Sequence, residues 1–419
     1  MDMSHSHPAY ITVKVIFRIP FHAAVAIALG LTVATAASQP ASAQTFTTLY
    51  NFAGDPDGSG PGANVISDAA GNLYGTTVFG GTNNGTVFKI DAQGNETILH
   101  SFTGVPDGAQ PWAGLVRDKQ GNLYGTTSGG GASNHGVVFK IDNAGKESVL
   151  YSFAGPPDGA TPLSGLTLDS KGDLYGTTFF GGTGTCPRAQ YGACGTVFKL
   201  SRDGTESVLY NFAGGTDGAL PVGVLLRDSQ GNLYGTTENG GAADCPDSDL
   251  PGCGTIFMLS ATGTETILHS FSGAPNDGEA PAGGVTVGAG GNLYGTTFVG
   301  GTYDYGAVFE LTRGGTEKLL YSFGGVPNDG EAPQGGLVAD PNGNLYGTTE
   351  QGGGTGCAGS GCGTIFRMTP AGKEISLPFN NGPAGCVPFA SLFRDPGGNF
   401  YGTTSNCGLG YGTVFKVTP

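Results

Sequence analysis

Positive charge is scarce in this chain. Lys and Arg number 18 against 33 Asp and Glu, and the formal net charge is -15. A surface of that sign repels phosphate backbones, which excludes nucleic acid as the expected partner. Charged residues of both signs are 12% of the whole, about half the usual share. Histidine is nearly as rare, and beyond the N-terminal segment only His100, His135 and His269 remain. There is one tryptophan, Trp112, and no C-x-x-C pair. After Ala37 no run is apolar enough to span a bilayer, and no hydrophobic tail precedes Pro419, so a soluble product is expected.

What is abundant is glycine. The 79 Gly and 25 Pro among 419 residues make about a quarter of the chain, a level at which low complexity has to be considered. The 24 Phe, 16 Tyr and 38% hydrophobic content argue for a folded core instead. The glycines also recur at a long fixed spacing, not in every third position as in collagen. The expectation is a globular all-β protein.

Residues 1–43 read as an export signal. Lys14 and Arg18 precede an apolar run from Phe21 to Ala37, which ends in Ala41-Ser42-Ala43, a small-x-small cleavage pattern. A membrane anchor is the competing reading, but His22 interrupts the run and the cleavage pattern follows at once. The mature chain is expected to begin at Gln44, with residues 44–419 forming one domain outside the cytoplasm.

Internal repetition decides the fold class. GNLYGTT begins at Gly71, Gly121, Gly231, Gly291 and Gly343, with GDLYGTT at Gly172 and GNFYGTT at Gly398. These seven copies stand 50, 51, 59, 60, 52 and 55 residues apart, the range of propeller blades. Each copy divides into four strand-length segments, here called A to D. In the second copy they are Gly114–Asp118, Asn122–Thr127, Val137–Asp142 and Glu147–Phe153. Segments such as GVVFKID are apolar on both sides, as in a small sheet stacked between two others. Phe46–Phe52 matches the D segments, whereas the chain stops at Gly412–Pro419, a C strand with no D after it. The spacing therefore predicts a seven-bladed propeller of four-stranded blades, closed by the N-terminal strand completing the last blade. Closure removes the open edges that a solenoid would leave.

GNLYGTT, six D-G-x-x-P loops and the G-T-V-F-K strand together resemble the GloVer, or Gloeo/Verruco, repeat family of exported bacterial proteins, across essentially all of Phe46 to Pro419. The resemblance implies a secreted or surface-displayed, β-propeller-like protein, and it transfers no catalytic residue. WD-type and kelch propellers match less well, because Trp112 has no counterpart in the other copies.

Eight cysteines in an exported chain favour disulfides. Proximity pairs Cys186 with Cys194, Cys245 with Cys253 and Cys357 with Cys362, each within a B-to-C loop, and leaves Cys386 for Cys407. A zinc cluster is the alternative, but the cysteines fall in four copies and lack nearby histidine.

Few residues invite a chemical role. His100 and His269 stand where other D strands carry Tyr50, Tyr151, Tyr210 and Tyr321, and His135 sits alone in a glycine-rich loop. Asp57, Asp107, Asp158, Asp217, Asp277 and Asp329 each precede the glycine of a D-to-A turn, where a carboxylate bonds nearby backbone N–H groups. A ring of carboxylates holding Ca²⁺ or sugar hydroxyls is the functional alternative. Asp244, Asp247 and Asp249 form a second acidic group without a Ca²⁺-loop pattern. Residues that break the repeat are better candidates, because the fold does not demand them. Trp112 and Phe389 follow the loop proline where other copies carry Gly62, Leu163, Val222, Ala282 and Gln334, and Tyr303 and Tyr305 decorate one B-to-C loop. The expectation is a monomeric, cofactor-free binding or scaffold module for an extracellular glycan, cell-wall polymer or protein, using the face of the D-to-A and B-to-C loops. The alternatives are a channel-site lyase or hydrolase acting on polysaccharide and a purely structural surface protein.

Overall fold

A computed structural model describes residues 45–418 apart from 187–191, 244, 246–250, 325, 327 and 380–384. The export-signal reading of residues 1–43 and the acidic group at Asp244, Asp247 and Asp249 lie outside the described residues. Among those described, no helix is long and apolar enough to cross a membrane.

Seven four-stranded antiparallel sheets follow one another. Blade 1 consists of strands Ile66–Ser67, Leu73–Thr77, Thr86–Ile90 and Glu96–Ser101, in the order A, B, C, D. In blade 7, strands Phe393–Arg394, Phe400–Thr404 and Thr413–Thr418 are completed by Thr45–Asn51 from the N-terminus. That pairing sets Thr45 opposite Thr418 and Asn51 opposite Thr413, as the offset of the strands predicts.

The repeated phrase can be read atom by atom. In the A-to-B hairpin of blade 1, the Ala70 and Asn72 N–H groups donate to Asp68 Oδ1, both at 2.9 Å, while the Asn72 amide and the Tyr74 hydroxyl donate to Oδ2 at 2.7 and 2.9 Å. One carboxylate thus fixes the turn and the start of strand B. Where Gly288 replaces it in blade 5, Asn292 and Tyr294 turn instead to Glu310 Oε1, both at 2.7 Å. The glycine of LYGTT has a steric cause. A Cβ on Gly75, Gly235 or Gly402 would stand 2.5, 2.6 or 2.5 Å from the Cζ of the facing C-strand phenylalanine.

Those phenylalanines also seal the blades to one another. The Phe ending each D strand meets the C-strand Phe of the next blade edge to face, for example Phe102 with Phe139 at 5.0 Å and Phe212 with Phe257 at 5.1 Å. Phe52 and Phe88 repeat this contact at 5.1 Å across the junction between last and first blades. Phe52, Phe88, Phe102, Phe139, Phe212 and Phe257 are fully buried.

Strand A is shorter than the sequence suggests. Only Val116–Arg117 pairs in blade 2, against the expected Gly114–Asp118, because the preceding residues turn toward the axis. Blade 4 is the exception, with an A strand running from Ala219 to Arg227.

Candidate functional site

Each residue before the loop proline adopts the left-handed conformation: Gly60, Gln110, Thr161, Leu220, Ala280, Ala332 and Val387 all have φ between 53° and 62°. The strain of that conformation for a residue with a Cβ is held by a bond to the preceding blade. The Gln110 N–H donates to the Asn84 carbonyl at 2.7 Å, Thr161 N–H to His135 at 2.9 Å and Ala332 N–H to Tyr305 at 2.9 Å. In the disulfide-bearing copies the same acceptor is a cysteine, with Leu220, Ala280 and Val387 N–H donating to Cys194, Cys253 and Cys362 at 2.8, 2.9 and 3.0 Å. All four bridges pair as the loop proximities predict. With every cysteine bridged, the zinc alternative has no thiolates to use. These straps aim the residue after the proline at the axis. That places Trp112 and Phe389, from the two blades that flank blade 1, in one depression.

The depression has a volume of about 580 Å³ and opens on the face of the D-to-A and B-to-C loops. Trp112, Phe179, Phe298 and Phe389 supply aromatic surface, and Asn64, Glu238, Gln334 and Ser391 supply polar groups. Trp112 is 39% exposed and its ring lies over Gly62, where a Cβ would stand 3.4 Å from Cε3. The Gln334 side-chain amide donates to Glu350 at 2.6 Å. Burial raises the Glu350 carboxyl above its ordinary value. Below the mouth the backbones crowd together, since a Cβ on Gly223 would meet the Gly284 nitrogen at 2.3 Å and one on Gly335 would meet Ala390 at 2.7 Å. Tyr303 and Tyr305 are 51% and 48% exposed but do not line this depression, and Tyr305 instead packs on Gly324.

The six turn aspartates are not gathered around the axis. Each serves its own loop: Asp57 accepts from Ala53 N–H at 2.8 Å and Tyr50 hydroxyl at 3.1 Å, and Asp158 from Ala154 N–H at 2.8 Å and Tyr151 hydroxyl at 3.0 Å. Asp217 and Asp329 hold Tyr210 and Tyr321 in the same way. His100 and His269 substitute as donors to Asp107 and Asp277, both at 3.1 Å, while stacking edge-on against Phe102 and Phe271. A glutamate from the next D strand approaches each pair. Burial first, and the aspartate charge second, push Glu96, Glu206, Glu265 and Glu317 up to about 7. In the histidine versions, His100, Asp107 and Glu147, and His269, Asp277 and Glu317, bring their ligand atoms within 4.8 Å of one another. A nitrogen among so few oxygens suits a transition metal better than Ca²⁺.

The sequence profile of the Gloeobacter/Verrucomicrobia repeat matches residues 35–188 and 246–419. The chain belongs to this family. A search of curated proteins found no match. Among solved structures, this Gloeobacter/Verrucomicrobia repeat protein is similar to an extracellular domain assigned to a hybrid two-component system of B. thetaiotaomicron, at 11% identity and a TM-score of 0.55, over 88% of this chain and 39% of that one. It is also similar to a puromycin hydrolase, at 14% identity and a TM-score of 0.50, over 82% of this chain and 50% of that one. A gluconolactonase from Xanthomonas campestris matches at 15% identity and a TM-score of 0.42, over 89% of each chain. At such identities the likeness concerns the fold alone.

Several residues of the repeat protein's mouth escape a reading of the sequence. Phe179, Glu238 and Phe298 of the lining, and Glu350, which accepts from Gln334, occupy the position just after YGTT, held elsewhere by Val78, Ser128 and Ser405. That position changes in almost every copy while the four residues before it never do, which is the signal that could have found it. The D-strand glutamates gave no such signal, because their aspartate partners lie 39 to 48 residues away in sequence.

Proposed function

We propose that this repeat protein is an exported, non-catalytic binding module that takes a segment of glycan at the mouth of its central axis, after residues 1–43 are removed as an export signal. The observation that carries this reading is the gathering of four aromatic rings with amide, hydroxyl and carboxylate groups in one depression. Sugar rings present apolar faces that stack on aromatics and hydroxyl edges that need polar partners. Those side chains stand at positions the repeat leaves free, so folding does not explain them. Eight cysteines joined in four bridges fit an oxidising compartment. The test is a glycan array probed with the mature protein, with and without Ca²⁺, alongside Trp112→Ala. The reading expects retention of at least one glycan class independent of Ca²⁺, and a loss of about tenfold or more in the variant, equivalent to ~1.4 kcal/mol of a central aromatic anchor. Retention that Trp112→Ala leaves unchanged would remove the mouth as the site.

A channel-site hydrolase is favoured by one observation: Glu238 lines the mouth, and the burial-raised Glu350 accepts a hydrogen bond from Gln334 of the same lining. Chain shortening of a retained glycan, abolished by Glu350→Gln, would establish it in place of simple binding.

A further inference from the structure

On the opposite face lies a larger cleft, about 780 Å³, where the A-to-B hairpins of blades 2 and 3 meet the C-to-D hairpin of blade 3. Arg117, Lys119, Lys140, Lys171 and Arg202 line it, five of the chain's 18 basic residues. Asp118, Asp169 and Asp203 are the acids among them, which leaves the lining two charges positive in a chain of net charge -15. The acids are engaged within the fold. Asp118 accepts from Asn122 and Tyr124, Asp169 lies 3.8 Å from Arg227, and Asp203 accepts from Thr205 N–H at 3.0 Å. Among the described residues none of the five cations forms an ion pair, and Lys140 alone lies over an aromatic ring, 5.9 Å from the centre of Tyr124. Arg117 Nε is moreover buried without a hydrogen-bond partner.

Arg117 and Lys140 stand at positions that are also basic in other blades, as Arg227 and Arg394 and as Lys89, Lys199 and Lys416, but the hairpin tips depart from the repeat. Lys119 stands where blades 1 and 3 carry Ala69 and Ser170, and Lys171 where blade 2 carries Gln120. The hairpin backbones are uniform, yet their tips differ in charge at this one groove. Basic residues unpaired within a protein as acidic as this one raise the local concentration of an anion while the surrounding charge repels dense polyanions. The groove also offers amide and hydroxyl groups, from Gln120 and Asn122 to Ser170 and Ser201. Cations for carboxylates, with amides and hydroxyls for alcohols, match one ligand class in both functions.

We propose that this cleft binds an acidic oligosaccharide, a chain of uronate-bearing sugars, with Lys171 and Arg202 engaging its carboxylates. This site is distinct from the mouth and stands whether or not the mouth binds glycan. The test is calorimetric titration of the mature protein with tetragalacturonate, with a neutral tetrasaccharide of the same length and with inorganic tripolyphosphate, at about 0.01 M and about 0.15 M salt. Expected is binding of tetragalacturonate that weakens at the higher salt. It should fall about tenfold or more in Lys171→Ala with Arg202→Ala and survive in Lys171→Arg. Both substituted side chains are exposed, so the fold should persist. Neutral-sugar binding that falls with the uronate in the double variant, an unaffected double variant, or tripolyphosphate bound as tightly as the uronate would each overturn the assignment.

Discussion

At the scale of single residues, the invariant positions of this chain answer to contacts, not chemistry. Gly235 is one: a Cβ there would lie 2.6 Å from Phe257 Cζ and 2.9 Å from Leu225 Cδ2, both on packed side chains. Gly235→Ala should therefore lower stability by about 1–3 kcal/mol, the cost of overpacking a tight core, read as a shift of the urea midpoint at unchanged slope. The D-strand glutamates make a second prediction. Glu96, Glu206, Glu265 and Glu317 are held at about 7 in the fold, above the ordinary carboxyl range that the unfolded chain recovers. The folded state then binds more protons between those values, so their contribution is full below the ordinary range and is lost as pH rises through about 7. The aspartates Asp68, Asp118, Asp228 and Asp340 are held below their ordinary value by hydrogen bonds from Asn and Tyr that outweigh burial. Their stability is lost only in strong acid, below this window. Thermal midpoints should accordingly rise from pH 8 to pH 5.5, and Glu206→Gln should stabilise the protein at pH 8. A midpoint that falls over this range would contradict the burial of these carboxyls beside their aspartates.

At the scale of elements, the unit that repeats is the seal between blades more than the blade itself. Phe52 on Phe88 reproduces at 5.1 Å what Phe102 makes with Phe139 at 5.0 Å, although the first joins the two ends of the chain. Phe52→Ala and Phe102→Ala should thus cost alike, about 3–5 kcal/mol each, as measured by thermal or urea unfolding. A much smaller loss for Phe52→Ala would mean that the N-terminal strand frays from blade 7. This strand arrangement was legible in the sequence, because FTTLYNF at the start and GTVFKV at the end are incomplete halves of one blade. The two-residue A strands were not. Their period-2 pattern extends through Gly114 and Leu115, and only the crowding of backbones at the axis shows where pairing stops. The straps were equally hidden, since a left-handed Leu220 or Val387 follows from a bond to another blade and from nothing local.

At the scale of the whole molecule, a ring of seven near-identical blades offers seven near-identical surfaces, and recognition of a ligand has to come from where they differ. Trp112 and Phe389 announce themselves as departures within the copies, and the structure brings both to one mouth. Phe179, Glu238 and Phe298 join them from other blades, and no single-copy comparison could assemble that set. The cationic cleft between blades 2 and 3 was masked for a related reason, because a net charge of -15 averages over the groups that converge there. If ligand meets the protein at the axial mouth, the sequence supplies its own reporter. Trp112 is the only tryptophan, so the emission of the protein under tryptophan-selective excitation reports this site alone. Titration with a glycan retained on the array should shift that emission to the blue as the half-exposed ring is covered, saturating together with calorimetric binding. An unchanged spectrum at saturating glycan would contradict the assignment.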